Sequence, residues 1–116
     1  NGESLSDAIN AGNELNIECQ LINCLAMDCV TQQIETLKES ENFGIFANSS
    51  VLEHPITDLG PDCDIDINHH SNTKTVSPKE YAEEAKKWIE AGAYVVGGCC
   101  STGPEHIKEI SNLLLD

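Results

Sequence analysis

Along this chain, short apolar runs alternate with stretches in which apolar residues recur every three or four positions, the spacing of one helix face. Ser4 to Leu15 reads as such a helix, with Ser4 and Asp7 in cap-like spacing and Leu5, Ala8, Ile9 and Leu15 on one broad face. Cys19 to Asn23, centred on Leu21 and Ile22, reads as a buried strand that ends at Cys24. Asp28 then caps a helix from about Val30 to Ser40, in which Val30, Ile34 and Leu37 lay one stripe against a sheet. Phe43 to Asn48 is the next strand.

From Ser49 to Val76 periodicity is lost and Pro, Gly, Asp, Asn and His gather, which predicts a long surface loop. Ser77-Pro78-Lys79-Glu80 then supplies a Ser cap, Pro at the first helical position and Glu at the third, the pattern of a capping box. The helix it opens reaches about Ala91, buries Tyr81, Ala85, Trp88 and Ile89, and stops at Gly92, a left-handed residue. Ala93 to Gly97 is a strand. The last helix begins near Pro104, with Thr102 and Glu105 in capping-box spacing and Ile107, Ile110 and Leu114 on its buried side. One helix followed by three β-α units calls for an α/β fold: a parallel sheet with helical crossovers, as in barrels and doubly wound sheets.

Composition narrows the partners. Six Lys and Arg against 20 Asp and Glu give a formal charge of -14, which repels phosphate backbones and argues against nucleic-acid and anionic-membrane partners. The acidity reads as a solvated surface. The longest apolar runs, Ala93 to Val96 and Leu113 to Leu115, are far below the roughly 18 residues of a membrane span, so a soluble chain is expected. Its 116 residues hold one core but fall short of the roughly 250 of a closed β/α barrel. The start at Asn1, with no Met and no leader, reads as a cut.

Six cysteines raise the question of a disulfide scaffold. Cys99 and Cys100 are adjacent, a strained disulfide pair, and the flanking sequence is helical rather than loop-rich, so reduced thiols in the cytoplasm fit better. In parallel β/α folds chemistry gathers at the carboxyl edge of the sheet. Cys24 closes the first strand, and Cys99 and Cys100 follow the last one after Gly97-Gly98. Adjacent strand residues face opposite ways, so two neighbouring cysteines share one metal only where the backbone turns, a turn that Gly97 and Gly98 permit. Three thiolates suit Zn²⁺ and leave its fourth tetrahedral position to a substrate, a catalytic pattern; a structural site would show four ligands in paired Cys-x-x-Cys spacing. A substrate thiol in that position would lose its proton and stay nucleophilic. Spacing alone also fits free cysteines buried in a core.

The segment Gly97-Gly98-Cys99-Cys100-Ser101-Thr102-Gly103-Pro104-Glu105-His106-Ile107 closely resembles the Gly-Gly-Cys-Cys signature of the homocysteine S-methyltransferase family. Asn23-Cys24 matches that family's upstream Asn-Cys motif, Phe46-Ala47-Asn48-Ser49 resembles its Tyr-Pro-Asn-Ser stretch, and Ser77 to Gly92 is similar to the helix before its final strand. The resemblance spans nearly the whole chain except about Val51 to Val76. It implies a (β/α)8 TIM barrel of which residues 1–116 are the C-terminal portion, with the N-terminal half absent. It also implies zinc held by Cys24, Cys99 and Cys100, substrate contacts at Asn23, Asn48 and Gly98, and methylation of homocysteine to methionine. The methyl donor would carry its group on sulfur, nitrogen or a corrinoid. Ser101 and Gly103 stand where the family usually has Gly and Thr, and Ala47 and Ser50 replace Pro and Gly, so the geometry on the substrate side is expected to differ.

Cys19, Cys29 and Cys63 are read as non-ligands, and Asp62, Asp64, Asp66, His69 and His70 as a solvated loop cluster rather than a second metal site. A helix start disfavours a cationic imidazole, so His106 is read as neutral, packed or facing solvent. Trp88 is read as core. The leading function is zinc-dependent methyl transfer as part of a larger enzyme. Two others compete: a stand-alone α/β module that binds metal without turnover, and a redox protein using the adjacent thiols. Three strands with open edges predict self-association or pairing with a missing half.

Overall fold

The computed structural model describes residues 3–52 and 73–115. Helix α1 (Leu5–Glu14) leads into β1 (Gln20–Ala26), followed by α2 (Met27–Gln32) and α3 (Ile34–Leu37). Strands β2 (Phe43–Asn48), β3 (Ser50–Leu52) and β4 (Thr73–Thr75) come next, then α4 (Pro78–Glu90), β5 (Val95–Val96) and α5 (Pro104–Leu115). The fold class is α/β, as the alternation predicts. Strands β1, β2 and β5 form one parallel sheet in that order, with Leu21, Gly44 and Val95 in register and Ile22, Ile45 and Val96 in the next row.

The two rows face opposite sides. Ile45 is fully buried, and Ile22 and Val96 pack against the same core, built from Ile9, Val30, Ile34 and Leu37 on one flank and Tyr81, Ala85 and Trp88 on the other. Leu21 and Val95 on the opposite side remain 44% and 36% exposed. Helices thus cover one face of the sheet, and no described residue covers the other in the same way. Trp88, fully buried, donates its indole N–H to Thr31 Oγ1 at 2.8 Å, which satisfies the one polar atom that a buried indole carries.

Both Ser caps form as expected: Ser4 Oγ accepts from Asp7 N–H and Ser77 Oγ from Glu80 N–H. Gly92, with φ of 106°, ends α4. Other expectations need correction. Strand β1 does not end at Cys24 but runs on to Ala26, with a register irregularity between Asn23 and Ala26 and Cys24 itself at φ of 63°. The helix expected from Val30 to Ser40 starts earlier and breaks at Gln33, which bonds back to Val30 O in a tight turn. Asp28 is no cap. Its carboxylate accepts from the N–H groups of Cys29 and Leu52, and so ties β3 to α2.

The stretch read as a loop from Ser49 to Val76 contains an antiparallel ladder, Ser50–Leu52 on Thr73–Thr75. Its remaining positions, including Cys63, Asp62, Asp64, Asp66, His69 and His70, lie outside the described residues. Ladder pairing shortens the last strand to Val95–Val96, although parallel hydrogen bonds to β2 continue from Tyr94 N–H to Cys99 N–H. Helices α1 and α5 bury narrower stripes than predicted: Ile9 and Ile110 are inside, while Leu15, Ile107 and Leu114 are exposed. Among the described residues no helix is long and apolar enough to cross a membrane.

Candidate metal centre

The parallel ladder delivers the site. Gly97 N–H donates to Ile45 O and Cys99 N–H to Ala47 O, so the segment after β5 is drawn along the carboxyl end of β2 until Cys99 stands beside Asn48. The chain then turns, with Thr102 N–H donating to Cys99 O and Ser101 left-handed at φ of 63°. This turn, together with the left-handed Cys24 in the irregular end of β1, swings three sulfurs to one point. The Sγ atoms of Cys24, Cys99 and Cys100 all lie within 4.8 Å of one another, and those of Cys24 and Cys100 are 3.5 Å apart.

That triangle matches a tetrahedral zinc–thiolate set, in which bonds of about 2.3 Å place sulfurs about 3.8 Å from one another. The donor chemistry fits as well. Cys24 is held below the ordinary thiol value of 9.0, first by hydrogen bonding from Cys99, then from Cys100, and to a lesser degree from Asn48. Cys100, hydrogen-bonded with Cys24 and Cys99 and set to place a second negative charge beside Cys24, is pushed up to about 11. The first proton therefore leaves more easily from Cys24 than from Cys100, and a bound cation would favour the loss of both.

The glycines act differently from the expectation that they make the turn. Neither is left-handed; a Cβ on Gly97 would come 2.7 Å from the Phe46 ring, and one on Gly98 would come 2.4 Å from Thr102 Oγ1. They let other side chains close over the loop, and the left-handed position falls to Ser101 instead. Asn48, 5% exposed, accepts the Cys100 N–H through Oδ1 at 2.9 Å while hydrogen bonding to the Cys24 side chain, so it touches both sides of the triangle. Asn23 is exposed on the uncovered face of the sheet, next to Cys24, and Gly98 lies within the loop under Thr102.

Three supporting residues were not foreseen as part of the site. Ser49, fully buried, donates its N–H to Cys100 O and its hydroxyl to Ser101 O. Tyr81 shares its hydroxyl proton between Ala47 O and Gly97 O, both 2.9 Å away. His106, 9% exposed, accepts the Gly103 N–H through Nδ1, and Tyr81 meets its ring edge-on. In sequence Tyr81 shows only as a member of an apolar stripe; the signal was that a buried tyrosine needs a partner for its hydroxyl. Cys19 sits at the other end of β1 and Cys29 is buried in α2, so neither joins the cluster.

The sequence pattern of homocysteine S-methyltransferases matches residues 1–114. The chain belongs to the homocysteine S-methyltransferase family. Among similar proteins, homocysteine S-methyltransferase YbgG of Bacillus subtilis is 32% identical over 94 residues, which cover 78% of this chain and 25% of that protein. Homocysteine S-methyltransferase 2 of Saccharomyces cerevisiae is 28% identical over 109 residues, 94% of this chain and 30% of its own length. The chain thus spans roughly a quarter to a third of those two relatives. The uncharacterized Saccharomyces cerevisiae protein YMR321C is 29% identical over 107 residues, 92% of this chain and 90% of its own length.

Proposed function

We propose that this chain is the C-terminal portion of a (β/α)8 barrel that transfers a methyl group to the thiol of homocysteine, and that Cys24, Cys99 and Cys100 hold its zinc ion. The observation that carries this is the convergence of three sulfurs from two strand ends within 4.8 Å. When bound, zinc supplies Lewis acidity that lets a substrate thiol ionise at neutral pH. The chain's own part is to hold the ligands: Asn48 fixes the Cys100 amide and reaches Cys24, and Ser49 anchors the carbonyls of Cys100 and Ser101. Asn23, exposed beside Cys24 on the uncovered face, and Asn48 and Gly98 at the loop are the positions from which homocysteine would be bound. A reduced thiol set of this kind calls for a reducing compartment, which suits the cytoplasm.

The partial barrel reading rests on the sheet. Three parallel strands with helices on one side only, and Leu21 and Val95 exposed on the other, are what a sector of a barrel presents when its remaining strands are elsewhere. Those strands would form the opposite wall of the pocket and hold a methyl donor in line with the thiolate, positioning that can be worth roughly 7 to 11 kcal/mol of barrier. The isolated 116 residues should therefore bind zinc yet produce no meaningful methionine from homocysteine with sulfonium, betaine-type or corrinoid donors. The same residues extended through their own upstream coding sequence should turn over. Equal turnover by the short chain would sink the partial reading.

A second reading has one observation in its favour. YMR321C matches this chain over 90% of its own length, so a protein of this size carries the same pattern. In that reading the chain is a stand-alone α/β module that binds metal without turnover. A start codon immediately before Asn1 would support it, and five further β-α units encoded upstream would exclude it.

A further inference from the structure

We propose that His106 is a positioning residue of the cysteine loop, acting through Nδ1 on the Gly103 amide. Loop residues 99–102 are fixed mainly from β2 and its neighbours: Ala47 O takes the Cys99 N–H, Asn48 takes the Cys100 N–H, and Ser49 binds the carbonyls of Cys100 and Ser101. The far side, where the loop enters α5, is held otherwise. Sequence spacing predicts a capping box between Thr102 and Glu105, but the structure shifts the frame by one residue. Thr102 Oγ1 donates to Cys99 O at 2.6 Å, within the loop itself. Gly103 stands at the cap: its carbonyl accepts the His106 N–H, and its own N–H is donated to His106 Nδ1 at 3.0 Å.

In a capping box the side chain at the third helical position reaches back to the cap's N–H, a task usually left to Glu or Gln. Here an imidazole performs it, and Gly103 has no side chain with which to return a bond. Accepting at Nδ1 requires a lone pair there, which puts the ring proton on Nε2. Nε2 is buried and has no partner among the described residues. A residue that only packed, such as Leu, would avoid that unpaired donor; what imidazole adds at this position is the acceptor. The same ring meets Tyr81 edge-on at 5.6 Å, and Tyr81 fastens Gly97 O, so His106 connects the outgoing end of the loop to the residue that holds its incoming end.

The test compares three variants of the 116-residue chain by two readouts, amide exchange at Gly103 in the reduced, metal-free protein and zinc affinity by chelator competition. In His106→Asn the side-chain oxygen falls near the place of Nδ1, His106→Gln carries the acceptor that a capping box uses at this position, and His106→Leu has no acceptor. Gly103 should stay protected in wild type, Asn and Gln but exchange freely in Leu, with zinc affinity falling roughly 10- to 100-fold in Leu alone. Wild-type histidine NMR should show the proton on Nε2. Ile110→Ala serves as control: it loosens α5 at a buried core position and should lower thermal stability while leaving zinc affinity in place. Equal Gly103 protection in Leu and wild type, or affinity that follows thermal stability through all variants including Ile110→Ala, would overturn the assignment. The affinity readout rests on the zinc reading of the site. If wild type bound no zinc, that reading would fail, and Gly103 exchange would still decide the role of His106.

Discussion

The two ends of the parallel sheet differ in a way that room alone does not explain. At the amino end, between α1 and the starts of β1 and β2, lies an open groove of about 810 Å³ lined by Asn13, Glu18, Cys19, Glu39 and Tyr94 among others. At the carboxyl end three sulfurs converge, and most polar backbone groups of the loop beside them have a partner. Among the described residues the amino end holds a single thiol, Cys19, raised from its ordinary value by burial. Donors that converge, held by a preorganised shell, are what a metal centre needs, and an open groove with scattered polar groups does not supply them.

The contrast breaks most directly by exchanging a thiol at each end. Cys24→Ser, Cys99→Ser and Cys100→Ser should each abolish stoichiometric zinc in protein purified under reducing conditions, whereas Cys19→Ser should keep full content by elemental analysis. Loss of zinc in the Cys19 variant, or retention in the other three, would erase the distinction between the ends. Next in size is Asn48→Ala, which removes the acceptor for the Cys100 N–H and the contact with Cys24. Zinc affinity should fall about 10- to 100-fold, with the fold intact by circular dichroism.

A titration separates the ends in the metal-free protein. Iodoacetamide should label Cys24 at a lower pH than Cys19, because hydrogen bonds from Cys99 and Cys100 favour the Cys24 thiolate while burial disfavours that of Cys19. Cys24 has a depressed folded pKa, so its contribution to stability is present above the unfolded value near 9.0 and is lost as pH falls through the folded one. Cys100 runs the other way: its contribution holds below the unfolded value and is lost as pH rises through about 11. Labelling of both cysteines at the same pH, mapped by mass spectrometry, would contradict this account of their environments. The smallest effect is Ser101→Gly. Ser101 is left-handed, a conformation that costs a residue with a Cβ roughly 1–2 kcal/mol, so glycine should raise stability to denaturant by about 1 kcal/mol without lowering zinc content.

The order of helices and strands was legible because the helices carry apolar stripes and two of them, α1 and α4, also carry serine caps. Ser77 and Pro78 mark the start of α4 as plainly in sequence as in the structure. The sulfur trio was legible through the resemblance of Asn23-Cys24 and Gly97-Gly98-Cys99-Cys100 to the family's motifs, since spacing alone also fitted free cysteines buried in a core. What the sequence hid is what long-range contacts decide. Asp28 looks like a helix cap until Leu52, brought beside it by the β3–β4 ladder, claims its carboxylate. Gly97 and Gly98 look like a turn, and their need for open space shows only once Phe46 and Thr102 are seen against them. Ser49 and His106 carry no periodic or spacing signal for their roles, because the backbone groups they hold belong to the loop's tertiary path.

X-ray absorption at the zinc edge on the reconstituted, reduced 116-residue chain reads the ligand set of the metal centre at the carboxyl edge. Three sulfur scatterers at about 2.3 Å, with one lighter atom completing the shell, are expected of Cys24, Cys99 and Cys100. A shell of four sulfurs, or one made mainly of nitrogen and oxygen, would contradict that ligand set.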